Sequence, residues 1–163
     1  MGIKQDVVSN KGNIKGVIFI LLFRVSHFFQ KQGLILRIIG FPIRLIYKVL
    51  IRWMFGIDIP DEVTIGTGLR VYHGMGLVVH TECMIGINVL LRHNTTIGQK
   101  HENGKVPSIG DNVDIGAHSI ILGDIKIGNN CIIGAGTFID KDLPNDSIAY
   151  GNPLKIKTRN GIL

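Results

Sequence analysis

Ile109-Gly110-Asp111-Asn112-Val113-Asp114, Ile115-Gly116-Ala117-His118-Ser119-Ile120, Ile121-Leu122-Gly123-Asp124-Ile125-Lys126 and Ile127-Gly128-Asn129-Asn130-Cys131-Ile132 are four consecutive hexads, each opening on isoleucine. The same beat extends upstream to Ile85, Leu91 and Ile97 and downstream to Ile133 and Ile139, broken by one gap of twelve residues between Ile97 and Ile109. Four places after the aliphatic residue stands a small or β-branched one: Val89, Thr95, Val113, Ser119, Ile125, Cys131, Thr137. A short fixed period is the signature of a solenoid rather than of an ordinary sheet domain. One aliphatic and one small residue pointing inward, with turn-tolerant residues between, suit one side of a three-sided parallel β-helix. Eighteen residues then form a coil, and residues 59–145 form about five. The expected fold class is mainly β, with a short α-helical N-terminal segment.

The chain of 163 residues is 45% hydrophobic and only 18% charged, with 21 glycines, most of them at hexad turns where φ > 0 is tolerated. Its net charge of +6 is uneven. Residues 1–57 carry nine Lys/Arg against Asp6 alone, hence +8, and residues 58–163 carry nine against eleven, hence −2. No basic face is indicated on the repeat region, which argues against nucleic acid as a partner. An anionic surface such as a membrane leaflet suits the first segment better. Cys83 and Cys131 fall on small inward positions and read as buried core thiols, with no sign of an oxidising compartment.

Three regions are expected: a helical segment over 1–56, the β-helix over 57–145 and a tail over 146–163. Residues 1–13 are polar and read as a loose start. From Ile14 to Phe55 the pattern is helical and apolar, with a basic residue about every seven; Gly33 separates two helices and Pro42 kinks or restarts the second. The longest uncharged run, Gly16 to Phe23, is too short to span a bilayer. These helices either cap the open end of the solenoid and pack between subunits, or lay a basic amphipathic surface over residues 14–55 into a membrane interface, and the two readings are compatible.

Two interruptions of the beat draw the function. The side that starts at Val71 runs eight residues to Val79, and it contains Tyr72-His73-Gly74-Met75-Gly76. Gln99 to Ser108 is polar and reads as a loop thrown out of the coil. Insertions in a solenoid collect on one face, where function sits.

Phe23-Arg24-Val25-Ser26-His27, Gly56-Ile57-Asp58-Ile59-Pro60, His73-Gly74-Met75-Gly76-Leu77, Ile133-Gly134-Ala135-Gly136 and Tyr150-Gly151-Asn152-Pro153-Leu154-Lys155 together resemble the hexapeptide-repeat acyltransferases, and within them the serine acetyltransferase branch. The resemblance spans residues 20–157. It implies a left-handed β-helix, a homotrimer with active sites between subunits, and acetyl-CoA as donor, with no metal. It also implies that His73 is the general base, since an imidazole suits proton removal from an attacking hydroxyl at neutral pH. Asp58, fifteen residues earlier, matches the carboxylate that orients the base. Among the expected donor-site residues, Ala117 and Ala135 match positions along which the pantetheine arm lies, Gly98 matches the corner before the extruded loop, and Lys155 and Lys157 could meet the phosphates.

The departures from the serine branch concern the acceptor. That branch has Asp before the catalytic His, where this chain has Tyr72, and Gly-Glu-Thr where His80-Thr81-Glu82 stands. It has Asp-Arg-His-Pro in the loop, where Gly104-Lys105-Val106-Pro107 stands. A free serine needs charged partners for both its carboxylate and its ammonium, and Lys105 is not a bidentate substitute for Arg. An aromatic face such as Tyr72 suits a sugar ring, and Lys105 joins it on the acceptor side. The variant resembles acetyltransferases of exopolysaccharide and capsule clusters, which implies a sugar or lipid-linked glycan acceptor and a cytoplasmic location, peripheral at the inner membrane face. Serine O-acetylation is the alternative. A γ-class carbonic anhydrase, which needs three converging His ligands, and a non-catalytic scaffold are minor ones.

Overall fold

The computed structural model describes residues 2–159. Helices α1 (Ile3–Ser9), α2 (Ile14–Gln30), α3 (Leu34–Ile39) and α4 (Phe41–Tyr47) lead into a π-helical turn, Lys48–Met54. Gly33 precedes α3, and Pro42 sits in the first turn of α4, where its missing N–H is tolerated. The chain then winds into coils. The first holds β1 (Ile57–Asp58), β2 (Thr64–Ile65) and β3 (Arg70–Tyr72); the second β4 (Leu77–Val79), β5 (Met84–Ile85) and β6 (Leu90–Arg92). The third holds β7 (Thr96–Gly98), β8 (Ser108–Ile109) and β9 (Asp114–Ile115); the fourth β10 (Ile120–Leu122), β11 (Lys126–Ile127) and β12 (Ile132–Ile133). The fifth holds β13 (Phe138–Ile139), a bridge from Leu143 to Ile127, and β14 (Ser147–Tyr150). Strand β15 (Lys155–Thr158) turns back antiparallel to β14. This is the parallel β-solenoid of about five turns that the hexads require.

Three flat faces result, ordered β1-β4-β7-β10-β13, β2-β5-β8-β11 and β3-β6-β9-β12-β14-β15. The stacked register places Ile85 on Ile109, Ile97 on Ile121 and Ile115 on Ile133, so the hexad isoleucines form columns inside the tube. Ile97, Ile115, Ile121 and Ile139 are fully buried, and so is Cys131. Burial pushes the Cys83 thiol up to about 12, which makes it an inert core group.

Residues 2–13 differ from the loose start expected over 1–13, because α1 is held by tertiary bonds. Asp6 is buried, accepts from Arg24 Nε at 2.8 Å and from the Gly68 amide at 2.6 Å. The helical segment places a polar group on carbonyl after carbonyl of the first coil. Arg24 donates to Ile65 O at 2.7 Å and also to Gly66 O. Asn10 donates to Leu69 O and Asn13 to Val71 O, each at 2.7 Å, and the Tyr47 hydroxyl donates to Ile59 O at 2.5 Å. Nδ1 of His27 lies 2.7 Å from Asp61 O. These carbonyls have no coil beneath them, and unpartnered they would each cost about 1–3 kcal/mol when buried. The Asp61 carboxyl is pushed up by burial, but hydrogen bonds from Arg44 and Ser26 outweigh this and hold it below its ordinary range.

Candidate active site

The corner between β3 and β4 is where the eight-residue side bulges. His73, Gly74 and Gly76 all have left-handed backbone, with φ of 67°, 60° and 70°. Gly74 is obligatory there, because a Cβ would stand 2.6 Å from Ile57 Cδ1 in the core. The two extra residues push the His73 ring outward into solvent, while Gly76 rejoins the solenoid by donating its amide to Gly56 O at 2.8 Å.

The register assembles a column above His73. Tyr72 pairs with Arg92, so the next residues, His73 and His93, face each other; Leu90 pairs with Asp114, an offset of 24 that sets His93 on Ala117. Ile115 pairs with Ile133, which sets Ala117 on Ala135. His73, His93, Ala117 and Ala135 therefore share one corner on successive coils. Lys155 joins the same end, opposite Tyr150 on β14, and Lys157 lies over the Tyr150 ring at 5.6 Å. At about 4.8 Å per coil, four steps from the first coil to the fifth span roughly 19 Å. Such a strip, with an exposed base at one end, small residues in the middle and exposed lysines at the other, has the chemistry to hold an extended thioester with a polyanionic end. Gly98, by contrast, closes β7 at the opposite corner, where its carbonyl accepts from Gly123.

Asp58 is not bonded to His73 among the described residues. Its Oδ1 instead accepts from Arg52 Nε at 2.6 Å, with the carboxylate about half exposed. Tyr72, beside His73 at the end of β3, is 37% exposed and free to meet a ligand. Lys105 sits in the extruded loop and pairs with Asp124 at 2.8 Å; both are solvent-exposed, and that contact raises the Lys105 ammonium above its ordinary range.

Three features escaped the sequence reading. The His93 ring packs edge to face on His73, with centroids 5.8 Å apart, and His118 packs in turn on His93 at 5.1 Å. Nδ1 of His93 is buried and has no hydrogen-bond partner among the described residues. Arg92 forms an ion pair with Asp114 and donates to Ile115 O at 3.1 Å. The spacing held the signal: His73 and His93 are 20 residues apart, one 18-residue coil plus the two-residue bulge. The imidazoles run in a row along the axis, and no group of three or more His, Cys, Asp or Glu among the described residues is placed to hold a metal ion.

Residues 107–141 match the family model of the bacterial transferase hexapeptide (six repeats). The chain is 30% identical over 157 residues to WcaB of Escherichia coli K12, which bears the name of a colanic acid biosynthesis acetyltransferase; the match spans 94% of this chain and 97% of that protein. It is 36% identical over 146 residues to serine acetyltransferase 4 of Arabidopsis thaliana, spanning 88% of this chain but 39% of that one. Among solved structures, soybean serine acetyltransferase complexed with serine superposes with a TM-score of 0.82 at 31% identity, covering 96% of this chain and 68% of the other.

Proposed function

The chain belongs to the hexapeptide-repeat acetyltransferase family, and from that premise we propose that it moves an acetyl group from acetyl-CoA to a hydroxyl of a sugar or glycan intermediate, with His73 as general base. The thioester would lie along the Ala117–Ala135 strip with its phosphates toward Lys155 and Lys157. His73 takes the proton from the acceptor hydroxyl as the oxygen attacks the thioester carbonyl. The tetrahedral intermediate collapses, the C–S bond breaks, and the imidazolium returns the proton to the departing thiolate. In this reading Asp58 acts as a positioning residue for His73, and Arg52 fixes the carboxylate. The working assembly is a homotrimer with sites between subunits, acting at the cytoplasmic face of the membrane where lipid-linked glycans are built.

The acceptor side of the corner carries the sugar reading. Tyr72 offers an exposed ring beside the base. The arginines flanking the corner, Arg52 and Arg92, are each committed to a carboxylate, Asp58 and Asp114. Neither of these two guanidiniums therefore stands ready for an amino-acid carboxylate, whereas a neutral ring needs only stacking and hydroxyl partners. The end-to-end match to WcaB agrees with this. Serine is the second reading, favoured by the 36% identity to the Arabidopsis serine acetyltransferase. Thiol release from acetyl-CoA separates the two: nucleotide sugars and polyprenyl-linked sugars in one series, L-serine in the other. Turnover on serine alone would overturn the sugar assignment.

A further inference from the structure

The helices bury one side of α2 against the solenoid, through Phe19, Ile20 and Phe23, but α3, α4 and the π-helical turn leave a broad apolar surface bare. Leu34, Ile35, Ile38, Phe41, Trp53 and Met54 are each between 61% and 79% exposed. Contiguous apolar surface on this scale marks an interaction site. No acidic residue occurs from Leu34 to Met54, whereas Arg37, Arg44, Lys48 and Arg52 do. Arg44 and Arg52 are neutralised by Asp61 and Asp58; Lys31, Arg37 and Lys48 are exposed and make no salt bridge among the described residues. A two-fold contact with a second copy, the kind that would pair one trimer with another, would set these cations against themselves with no acid in the segment to answer them. An anionic lipid surface answers both features at once, taking the apolar side chains into the acyl boundary and the cations at the headgroups.

The surface leads to the candidate site. One depression is lined by Leu34, Arg37, Ile38, Phe41 and Arg44; the next shares Phe41 and Arg44 and reaches Arg52; a third joins Arg52 and Trp53 to Asp58. The junction at Gly56, two residues before Asp58, is bonded to the His73 bulge through Gly76. We propose that the face formed by residues 34–54 docks on an anionic membrane leaflet and so presents the first-coil corner to acceptors carried by a lipid. This narrows the basic amphipathic region from 14–55, because α2 is spent on the core. The lipid-borne acceptor rests on the glycan reading above; the docking does not.

Flotation of the full chain with phosphatidylcholine vesicles containing phosphatidylglycerol, against pure phosphatidylcholine, tests it. Binding to the anionic vesicles is expected, about 100-fold weaker on the neutral ones from three cations near the surface. Arg37→Gln with Lys48→Gln should remove most of that preference, and Ile35→Ser with Ile38→Ser should abolish flotation while leaving thiol release on a soluble acceptor and the circular dichroism spectrum unchanged. Failure to float on anionic vesicles, or a larger mass by light scattering that the Ile35→Ser, Ile38→Ser variant reduces, overturns the docking and assigns the face to another copy. Flotation with no faster acetylation of a polyprenyl-linked sugar in vesicles than of its soluble counterpart overturns only the lipid-borne acceptor.

Discussion

Two corners of the same tube face opposite demands. Between the second and third faces, Asn88, Asn112, Asn130 and Asp146 occupy the left-handed turn position on successive coils, with φ between 55° and 58°. Their side chains form a continuous ladder: Asn88 donates to Asn112 at 3.1 Å, Asn112 to Asn130 at 3.2 Å and Asn130 to Asp146 at 3.1 Å, and Gln5 extends it at the base by donating to Asn88 at 2.8 Å. Asn and Asp tolerate αL, and an amide both donates and accepts, so one residue type satisfies the turn and its neighbours. At the His73 corner the equivalent turn positions are Gly76, Asn94, His118 and Gly136, the ladder is reduced to one Asn94–His118 contact at 3.4 Å, and a buried imidazole nitrogen has no partner among the described residues. Where every polar atom is used, the corner is architecture. Where ring nitrogens and an exposed base are left over, the corner is available for chemistry.

The contrast can be broken by substitution. His73→Ala should lower kcat by about 10²–10⁴ with the melting temperature changed by only a few degrees, because the ring is exposed and its edge-to-face contact with His93 is a small one; thiol release and calorimetry together check this. Gly74→Ala should destabilise by about 2–4 kcal/mol in urea unfolding, from αL strain and from overpacking on Ile57, and should distort the bulge. Asn112→Ala, in the intact ladder, should lose about 1–2 kcal/mol through two hydrogen bonds yet keep full activity. A large loss of activity there would erase the distinction between the corners. The smallest effect is expected from His93→Gln: an edge-to-face ring pair is worth about 0.5–1.5 kcal/mol, so kcat should fall by roughly 2- to 10-fold with KM for acetyl-CoA unmoved.

The tube was legible in the sequence because each coil repeats one requirement, an aliphatic residue inward every six, and the isoleucines advertise it. His73 was legible because its bulge breaks that beat. His93 was not, since its relation to His73 emerges only when the bulge is added to the coil length. The engagement of Asp58 by Arg52 was likewise hidden, because it depends on how the π-helical turn meets β1. Residues 1–13 misled for a different reason. Their helix is short and has no side-chain cap hydrogen bond, and it stands through Asp6, Asn10 and Asn13 reaching backbone groups some sixty residues away.

Those same bonds bear on how the molecule stays finite. A β-solenoid is an unfinished lattice: its first and last coils present rows of main-chain groups on which another copy could continue the stack. Here one terminus is sealed by side chains of Asn10, Asn13, Arg24 and Tyr47 standing in for a missing coil. On one face of the other, β15 runs the wrong way for extension and carries exposed lysines. Removing the seal, with Asn10→Ala and Asn13→Ala together, converts a stability defect into a polymerisation hazard, so the sign of failure would be concentration-dependent fibre growth rather than simple unfolding.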